Sequence, residues 1–174
     1  CNFHNKLKKI FKYKRIWCAA STHNAEEKIC ALAHKKLKIK YKNLLTIIIP
    51  RHIHRSNNII NEIKDLDLKV QIRSTDNKIS ENTDIYLVDS FGETNSFYKI
   101  CETVFLGGSL INHGGQNPLE PARFGCKILH GPYVQNFREV YNFLEKNNLS
   151  SKFYNAKQLA NSVKKSFSTK ANFT

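Results

Sequence analysis

The sequence alternates short apolar runs with amphipathic segments along most of its length, and this alternation limits the fold more than any other feature. Apolar runs typical of strands lie at 15–20, 44–49, 69–73, 85–88, 103–106 and 127–129. Apolar residues at helical spacing predict helices over 26–37, 56–66, 94–101, 118–124, 136–146 and 155–167. Because strands that alternate with helices need crossover connections, the sheet is expected to be parallel. The chain is therefore predicted to have an α/β fold, a Rossmann-like doubly wound parallel sheet.

The size and composition indicate one globular domain. The chain has 174 residues, of which 41% are hydrophobic, enough for a sizeable core. Residues 1–13 are expected to be a truncated end or a linker, and residues 14–174 the domain itself. Since the sequence contains no Met, it is expected to be a piece of a longer chain.

The cysteines indicate reduced thiols rather than disulfides or a metal site. There are five, an odd number, and none forms a C-x-x-C pair. Several lie in apolar runs, so buried thiols in a cytoplasmic protein are the simplest interpretation, and no metal site is predicted. The five are Cys1, Cys18, Cys30, Cys101 and Cys126.

The chain is strongly basic, with a formal net charge of +14 from 28 basic and 14 acidic residues. This charge suits an acidic partner such as anionic lipid, a phosphorylated substrate or nucleic acid, although a solvated lysine-rich surface would give the same composition. Lysine greatly outnumbers arginine, whereas base reading and bidentate phosphate contacts favour arginine. An anionic membrane surface is therefore expected as a partner, and nucleic acid is not.

Polar motifs follow four of the predicted strands. Residues 21–23, 50–52 and 89–93 each come directly after a strand, and a glycine-rich loop follows the strand at 103–106. The carboxyl ends of parallel strands lie at one edge of the sheet, where ligands bind in folds of this kind. A ligand site is therefore predicted at this edge.

The glycine-rich loop lies within residues 105–125 and has the order strand, loop and helix start. It holds Gly107-Gly108 and Gly114-Gly115, and Asn117 is a predicted helix cap with Pro118 at the first helical position. Free backbone N–H groups and a helix N-terminus at one place suit a phosphate or another anion. The loop fits neither the Walker A pattern nor the G-x-G-x-x-G fingerprint, and glycines after a strand also mark simple tight turns.

Four motifs taken together resemble those of the transferases of 3-deoxy-D-manno-octulosonic acid (Kdo). The motifs are Trp17-Cys-Ala-Ala-Ser-Thr-His23 with Glu26-Glu27; Pro50-Arg51-His52 with Arg55; Asp84-Ile-Tyr-Leu-Val-Asp89 with Gly92-Glu93 and Phe97-Tyr98; and Phe105-Leu-Gly-Gly-Ser109 with Gly114-Gly-Gln-Asn-Pro-Leu-Glu-Pro121. The resemblance is to the carboxyl-terminal half of these GT-B glycosyltransferases and runs from about residue 17 to residue 136. It implies transfer of Kdo from CMP-Kdo to lipid A, with inversion, without a metal and without a cofactor.

The resemblance also implies which residues bind the donor. The expected CMP-binding residues are Pro50, Arg51, Phe91, Gly92, Glu93, Asn117, Pro118, Leu119 and Glu120. Further possible donor contacts are Ser21, Thr22, His23, Gly114 and Gly115. Arg51 is expected to bind the phosphate together with backbone N–H groups, and Glu120 to accept hydrogen bonds from ribose hydroxyls. Alternatively, Glu120 is only a helix-capping acid.

No catalytic residue is expected within the chain. The resemblance implies that the base lies in an amino-terminal acceptor domain, so the fragment is expected to be inactive alone. The implied partners are that domain, a lipid A precursor and the anionic cytoplasmic face of the inner membrane. Two other functions remain open: a GT-B transferase that uses a UDP-sugar, and a basic nucleic-acid-binding module.

The chain departs from the family pattern at a few positions. Ala25 replaces a usual glycine before the two glutamates, which would cost energy if this position needs a positive φ. Gln116 replaces a usual histidine, and Ile53-His54 replaces a usual Pro-Glu. Alternatively, Arg55 only forms an ion pair with a neighbouring acid such as Glu62, and His23, His52 and His113 are ordinary loop residues.

Overall fold

The structure is a computed structural model that describes residues 2–75 and 78–168. Its strands are β1 (Arg15–Thr22), β2 (Leu44–Pro50), β3 (Val70–Ile72), β4 (Ile85–Leu87), β5 (Thr103–Leu106), β6 (Lys127–His130) and β7 (Ser150–Lys152). Its α-helices are α1 (Asn2–Ile10), α2 (Glu26–Lys38), α3 (Ser56–Ile63), α4 (Thr94–Tyr98), α5 (Leu119–Arg123), α6 (Arg138–Lys146) and α7 (Ala156–Ser168).

The strands form one seven-stranded sheet in the order β3-β4-β2-β1-β5-β6-β7, and every strand pair is parallel. Strand order reverses direction at β1, which lies between β2 and β5. This topology confirms the predicted Rossmann-like doubly wound fold and brings the ends of β4, β2, β1 and β5 next to one another.

Helices cover both faces of the sheet because side chains along the central strands alternate between two cores. Trp17 and Phe105 point into one core, where they meet α2, α3 and α7. Cys18 and Val104, their neighbours in sequence, point into the other core, against α1, α4 and α6. Burial on both faces explains why the strands read as continuous apolar runs.

The predicted elements agree with the structure except at the two ends of the domain. Strand β7 was not predicted, and residues 2–10, expected to be a truncated end or linker, form helix α1 with Leu7 buried. The predicted helix over 56–66 is α3 followed by a turn of 3₁₀-helix at Lys64–Leu66. Within the described residues, no helix is long and apolar enough to cross a bilayer.

Four of the five cysteines are buried with free thiols, as predicted: Cys18, Cys30, Cys101 and Cys126. Burial raises the pKa of the Cys126 thiol to about 12, so this thiol is protonated and unreactive near neutral pH. Cys1 lies outside the described residues.

A buried polar network joins α2 to β2 and β4 within the apolar interior. The His34 ring lies between the Thr46 hydroxyl, at 2.8 Å, and Asp84 Oδ1, at 3.1 Å. Asp84 also accepts hydrogen bonds from Lys38 Nζ at 2.5 Å and from the backbone N–H of Lys69 at 2.9 Å. The network ties α2 to β2 and β4 at the amino-terminal side of the sheet, and Lys69 links it to the residue before β3.

Candidate functional site

The predicted site residues come together at the carboxyl edge of the sheet. The backbone N–H of Arg51, after β2, donates to the Thr22 carbonyl at the end of β1 at 3.0 Å. On the other side, Asn95 Nδ2 in α4 donates to Glu120 Oε1 in α5 at 3.0 Å. Since the segments after β4, β2, β1 and β5 share this edge, Arg51, Gly92 and Glu120 do not lie on separate faces of the domain.

A buried carboxylate of the protein fills the bend of the glycine-rich loop. Glu26, in the first turn of α2, accepts hydrogen bonds from the N–H groups of Gly108 at 2.8 Å, Ser109 at 3.3 Å and Leu110 at 3.1 Å. It also accepts one from the N–H of His23 at 2.9 Å, and its side chain has no exposed surface. The carboxylate thus fixes the glycine-rich loop to the start of α2.

This arrangement corrects the prediction that the free N–H groups of the bend would bind phosphate. The N–H groups of residues 108–110 already have an anionic partner in Glu26. Those of Gly107 and Gly115 donate to the carbonyls of Ala20 and Gly108. The N–H groups of residues 108–110 are therefore not free to bind a phosphate.

Burial raises the pKa of the Glu26 carboxyl, and the four backbone hydrogen bonds act in the opposite direction. Sequence reasoning assigned no role to Glu26, because an acid in the first turn of a helix is usually solvated and favourable for the helix dipole alone.

The glycines of this loop are required by close packing. A Cβ at Gly107 would lie 2.3 Å from the Ser21 carbonyl oxygen, so β1 and β5 could not stay in register. Gly114 and Gly115 are buried with φ of 100° and 85°, and a Cβ at Gly114 would lie 2.2 Å from the Asn136 side chain. These two glycines, predicted as donor contacts, therefore hold the loop against the segment after β6.

The structure gives Ala25 a left-handed backbone, with φ 75° and ψ −25°. Glycine adopts this conformation readily, whereas alanine does so only at an energetic cost. The replacement of the usual glycine by Ala25 therefore has the cost expected for a positive φ. Ser21 also has a positive φ, 56°, next to the bulge where β1 shifts register against β2. Strained backbone therefore lies on both sides of His23.

Arg51 and a group of histidines form a basic part of the edge. Arg51 is exposed, and no described carboxylate lies within ion-pair distance of it. The His23 ring lies 4.4 Å from the His113 ring and 6.1 Å from the His52 ring, measured between centroids. Burial, and then the neighbouring His113, lower the pKa of His23, so its ring is neutral near pH 7.

Thr22, predicted as a possible donor contact, is fully buried and its hydroxyl has no partner among the described residues. Ser21 is half-buried, and Pro50 is buried at the end of β2. Of the three predicted contacts after β1, Ser21 and His23 are therefore partly accessible at the edge, and Thr22 is not.

The loop after β4 presents one exposed aromatic ring on a fixed base. Phe91 is 83% exposed, and Gly92 has a φ of 76°. Glu93 is held by the Arg73 guanidinium, at 3.3 and 3.2 Å, and by the Ser90 hydroxyl. Glu93 therefore anchors the loop, and Phe91 is the side chain left free for a ligand.

Helix α5 begins at Leu119, one residue later than predicted, with Pro118 at the cap position and Asn117 just before it. Asn117 Oδ1 accepts a hydrogen bond from the N–H of Leu119 at 3.0 Å, and Pro118 is buried. The Glu120 side chain is half exposed; among the residues that the structure describes, it contacts Asn95 and, at 3.9 Å, Arg123. The carboxylate of Glu120 is thus oriented and still open to solvent.

Arg55 pairs with an acid, in agreement with the alternative interpretation, but the acid is Glu27 and not Glu62. Its guanidinium makes a bidentate pair with Glu27, at 3.0 and 2.9 Å. Because the Glu27 side chain is fully buried, this pair fixes α2 to the turn after β2. The Phe97-Tyr98 pair is buried in the core.

No protein-family model matches the sequence. Individual relatives do: the chain is 41% identical over 141 residues to the 3-deoxy-D-manno-octulosonic acid transferase of Haemophilus influenzae, covering 80% of this chain and 33% of the relative. It is 32% identical over 161 residues to the enzyme of the same name from Rickettsia prowazekii, covering 91% of this chain and 35% of the relative. The chain thus spans about a third of the length of these relatives.

One solved structure matches almost the whole domain. The C-terminal CMP-Kdo binding domain of WaaA from Acinetobacter baumannii superposes with a TM-score of 0.86 at 26% identity, covering 95% of this chain and 89% of that one. The parallel sheet and the loops at its carboxyl edge define a Rossmann-like domain of the kind that forms the carboxyl-terminal half of a GT-B glycosyltransferase. The chain belongs to the Kdo transferase family and corresponds to its carboxyl-terminal domain.

Proposed function

We propose that this chain is the donor-binding domain of a Kdo transferase and binds the CMP part of CMP-Kdo at the carboxyl edge of its sheet. The observation that carries the proposal is the convergence of Arg51, Phe91 and Glu120, from three distant segments, at one edge. The similar Acinetobacter baumannii domain is described as CMP-Kdo binding.

In this proposal Arg51 binds the CMP phosphate. Its fork of N–H donors suits phosphate oxygens, and it is exposed with no described acid to compete for it. Because the N–H groups of the glycine-rich bend are occupied by Glu26, Arg51 supplies the main positive charge at the phosphate.

Glu120 and Phe91 bind the nucleoside. The Glu120 carboxylate, oriented by Asn95, accepts hydrogen bonds from the ribose hydroxyls. The exposed Phe91 ring offers a face on which the pyrimidine can stack. A carboxylate beside the phosphate would repel it, so Glu120 belongs at the sugar end of the nucleotide.

The chemistry follows from this placement. Positive charge at the phosphate stabilises CMP as it leaves, and this favours transfer of the Kdo group. The base that takes the proton of the acceptor hydroxyl lies outside this chain, in an amino-terminal domain that holds a lipid A precursor. Transfer proceeds with inversion, without metal or cofactor, at the cytoplasmic face of the inner membrane.

Binding of CMP tests the proposal. Saturation-transfer NMR with CMP and with UDP should show binding of CMP, and Arg51→Ala should weaken it by roughly 10- to 100-fold, the value of a charge-assisted contact. Lys42→Ala removes the same charge from an exposed position at the opposite edge and should leave CMP affinity unchanged.

Two results would contradict the proposal. Tighter binding of UDP than of CMP would favour a transferase that uses a UDP-sugar. Salt-sensitive binding of RNA that does not depend on Arg51 or Glu120 would favour a nucleic-acid-binding module.

A further inference from the structure

Both proposed nucleoside contacts depend on the short segment that follows β4. Phe91 lies in its loop, and Asn95, in α4, donates to Glu120 Oε1 at 3.0 Å. Because α4 has only five residues, its own backbone hydrogen bonds hold it weakly, and its position depends on the side chains packed around it. The supports of this segment therefore determine where Phe91 and the Glu120 carboxylate lie.

Arg73, the residue after β3, is a polar support of this segment. Its guanidinium donates to both carboxylate oxygens of Glu93, at 3.3 and 3.2 Å, and Glu93 also accepts a hydrogen bond from the Ser90 hydroxyl. The backbone N–H of Arg73 donates to the Leu87 carbonyl at the end of β4, at 2.9 Å. Arg73 therefore joins the end of β4 to the start of α4 and spans the loop that carries Phe91.

The Phe3 side chain of α1 contacts both Arg73 and α4. The guanidinium carbon of Arg73 lies 4.6 Å from the centre of the Phe3 ring, within the range of a cation–π contact. The Phe3 ring also packs edge-on against Phe97 in α4, with the ring centroids 6.2 Å apart and an angle of 79° between the ring planes. One half-buried ring therefore holds both the arginine that binds Glu93 and the helix that follows Glu93.

Helix α1 brings Phe3 to this place because it runs from one edge of the sheet to the other. Lys8, near the end of α1, and Phe11, just after it, line a cavity of about 320 Å³ with Arg15 at the amino-terminal edge. Phe3, near the start of α1, lies at the other end, beside residues that follow the carboxyl ends of β3 and β4. Residues 2–10 were expected to be a truncated end or a linker, and no part in the site was predicted for them.

We propose that Phe3 is a positioning residue for the nucleotide site, an inference that rests on the proposed function of the carboxyl edge. Through Arg73, Phe3 holds the loop that carries Phe91. Through α4, it holds Asn95, which orients the Glu120 carboxylate. Without the Phe3 ring, the segment also takes up other positions, and the affinity for CMP falls with the fraction of molecules in which the segment is correctly placed.

The CMP affinity of the full chain tests the inference under conditions in which every variant is folded. Phe3→Ala should weaken CMP binding by about 3- to 10-fold, because the cation–π and aromatic contacts are both lost. Phe3→Tyr keeps the ring and should keep the affinity. Ile10→Ala removes another half-buried side chain of α1, about 10 Å farther along the helix, and should leave CMP affinity within about twofold.

NMR of the chain without nucleotide separates positioning from stability. Phe3→Ala should shift the amide signals of residues 90–93 and speed their hydrogen exchange, because their support is weakened. Ile10→Ala should leave these signals in place. Urea unfolding should show a lower midpoint in both variants, so a loss of stability alone cannot account for a change in CMP affinity that is confined to Phe3→Ala.

Unchanged CMP affinity in Phe3→Ala would overturn the inference, and so would an equal loss of affinity in Ile10→Ala. Unchanged amide signals of residues 90–93 in Phe3→Ala would overturn it even if the chain bound no CMP. Failure of the donor site itself would look different: the unmodified chain would not bind CMP, which would remove the inference as well, or Arg51→Ala would bind CMP as tightly as the unmodified chain.

Discussion

At the residue scale, the most consequential positions around the site are those where local preference and tertiary structure disagree. Ala25 has a backbone that favours glycine, and Glu26 beside it is an acid with no exposed surface. Because the family that the chain resembles usually has glycine at position 25, an energetic cost of the Ala25 backbone could be predicted from the sequence. The sequence could not show that Glu26 meets Gly108, which lies 82 positions away, because only the packing of α2 on β5 brings them together.

Ala25→Gly should stabilise the domain by about 0.5–1 kcal/mol, since glycine adopts a left-handed backbone without the penalty that alanine bears. The midpoint of urea unfolding should rise accordingly. Ala31→Gly, the same change at an ordinary position within α2, should lower the midpoint. A lower midpoint for Ala25→Gly would show that the left-handed geometry costs nothing here.

Glu26→Gln should destabilise the domain by about 2–4 kcal/mol, because the amide nitrogen cannot accept the backbone hydrogen bonds that one carboxylate oxygen accepts. Urea unfolding at pH 7 measures this loss. Glu139→Gln, an acid in the first turn of α6 that is exposed, should change stability by less than about 0.5 kcal/mol. Similar small effects for both variants would mean that the carboxylate does not hold the glycine-rich loop.

At the element scale, hydrophobic periodicity predicted the central strands well and the margins of the sheet poorly. Strands β1, β2, β4 and β5 are buried on both faces, so their sequences are the continuous apolar runs that are typical of buried strands. Strand β7, Ser150–Lys152, has no apolar residue and exists because β6 offers it hydrogen bonds. The site segments were predictable for the same reason as the central strands, since each directly follows one of them.

The network of His34 and Asp84 joins α2, β2 and β4, and it should make stability depend on pH. Partial burial alone would raise the pKa of Asp84. Hydrogen bonds from His34, Lys38 and Lys69 outweigh burial and lower this pKa well below 3.8. The contribution of Asp84 is therefore fully present above pH 3.8 and is lost as the pH falls below that value. Burial lowers the pKa of His34 from 6.5, so its contribution is likewise lost as the pH falls below 6.5.

Asp84→Asn should lower the free energy of unfolding by about 2 kcal/mol at pH 7. The variant should no longer lose stability below pH 4, whereas the loss of stability that begins near pH 6 and comes from His34 should remain. Unfolding by urea at a series of pH values measures both. Asp67→Asn serves as the control, because Asp67 is exposed and its left-handed backbone also suits asparagine. An unchanged slope below pH 4 in Asp84→Asn would contradict this account.

At the scale of the whole molecule, the two edges of the sheet carry different chemistry. The carboxyl edge has the features proposed for the nucleotide, and the amino edge has a cavity lined by four cations. The sequence predicted both a ligand edge and an affinity for anions. It could not place the cationic cavity, because Lys8, Arg15 and Lys99 belong to separate segments that only the fold brings together.

The chain should bind CMP and transfer no Kdo on its own. Thermal unfolding can be followed by fluorescence of Trp17, which is the only tryptophan and is fully buried, and CMP should raise the unfolding temperature. With CMP-Kdo generated in the assay and a lipid A precursor as acceptor, the Haemophilus influenzae relative should form product and this chain should not. Product formed by this chain alone would place a catalytic base within these residues.

The short strands at the two margins of the sheet also affect how the domain behaves in concentrated solution. Both β3 and β7 contain only three residues, and β7 ends on Lys152. Short edge strands give a neighbouring molecule little backbone to pair with, and the charge of Lys152 at β7 further limits edge-to-edge aggregation there. The isolated domain should therefore tolerate the protein concentrations that crystallisation and NMR require.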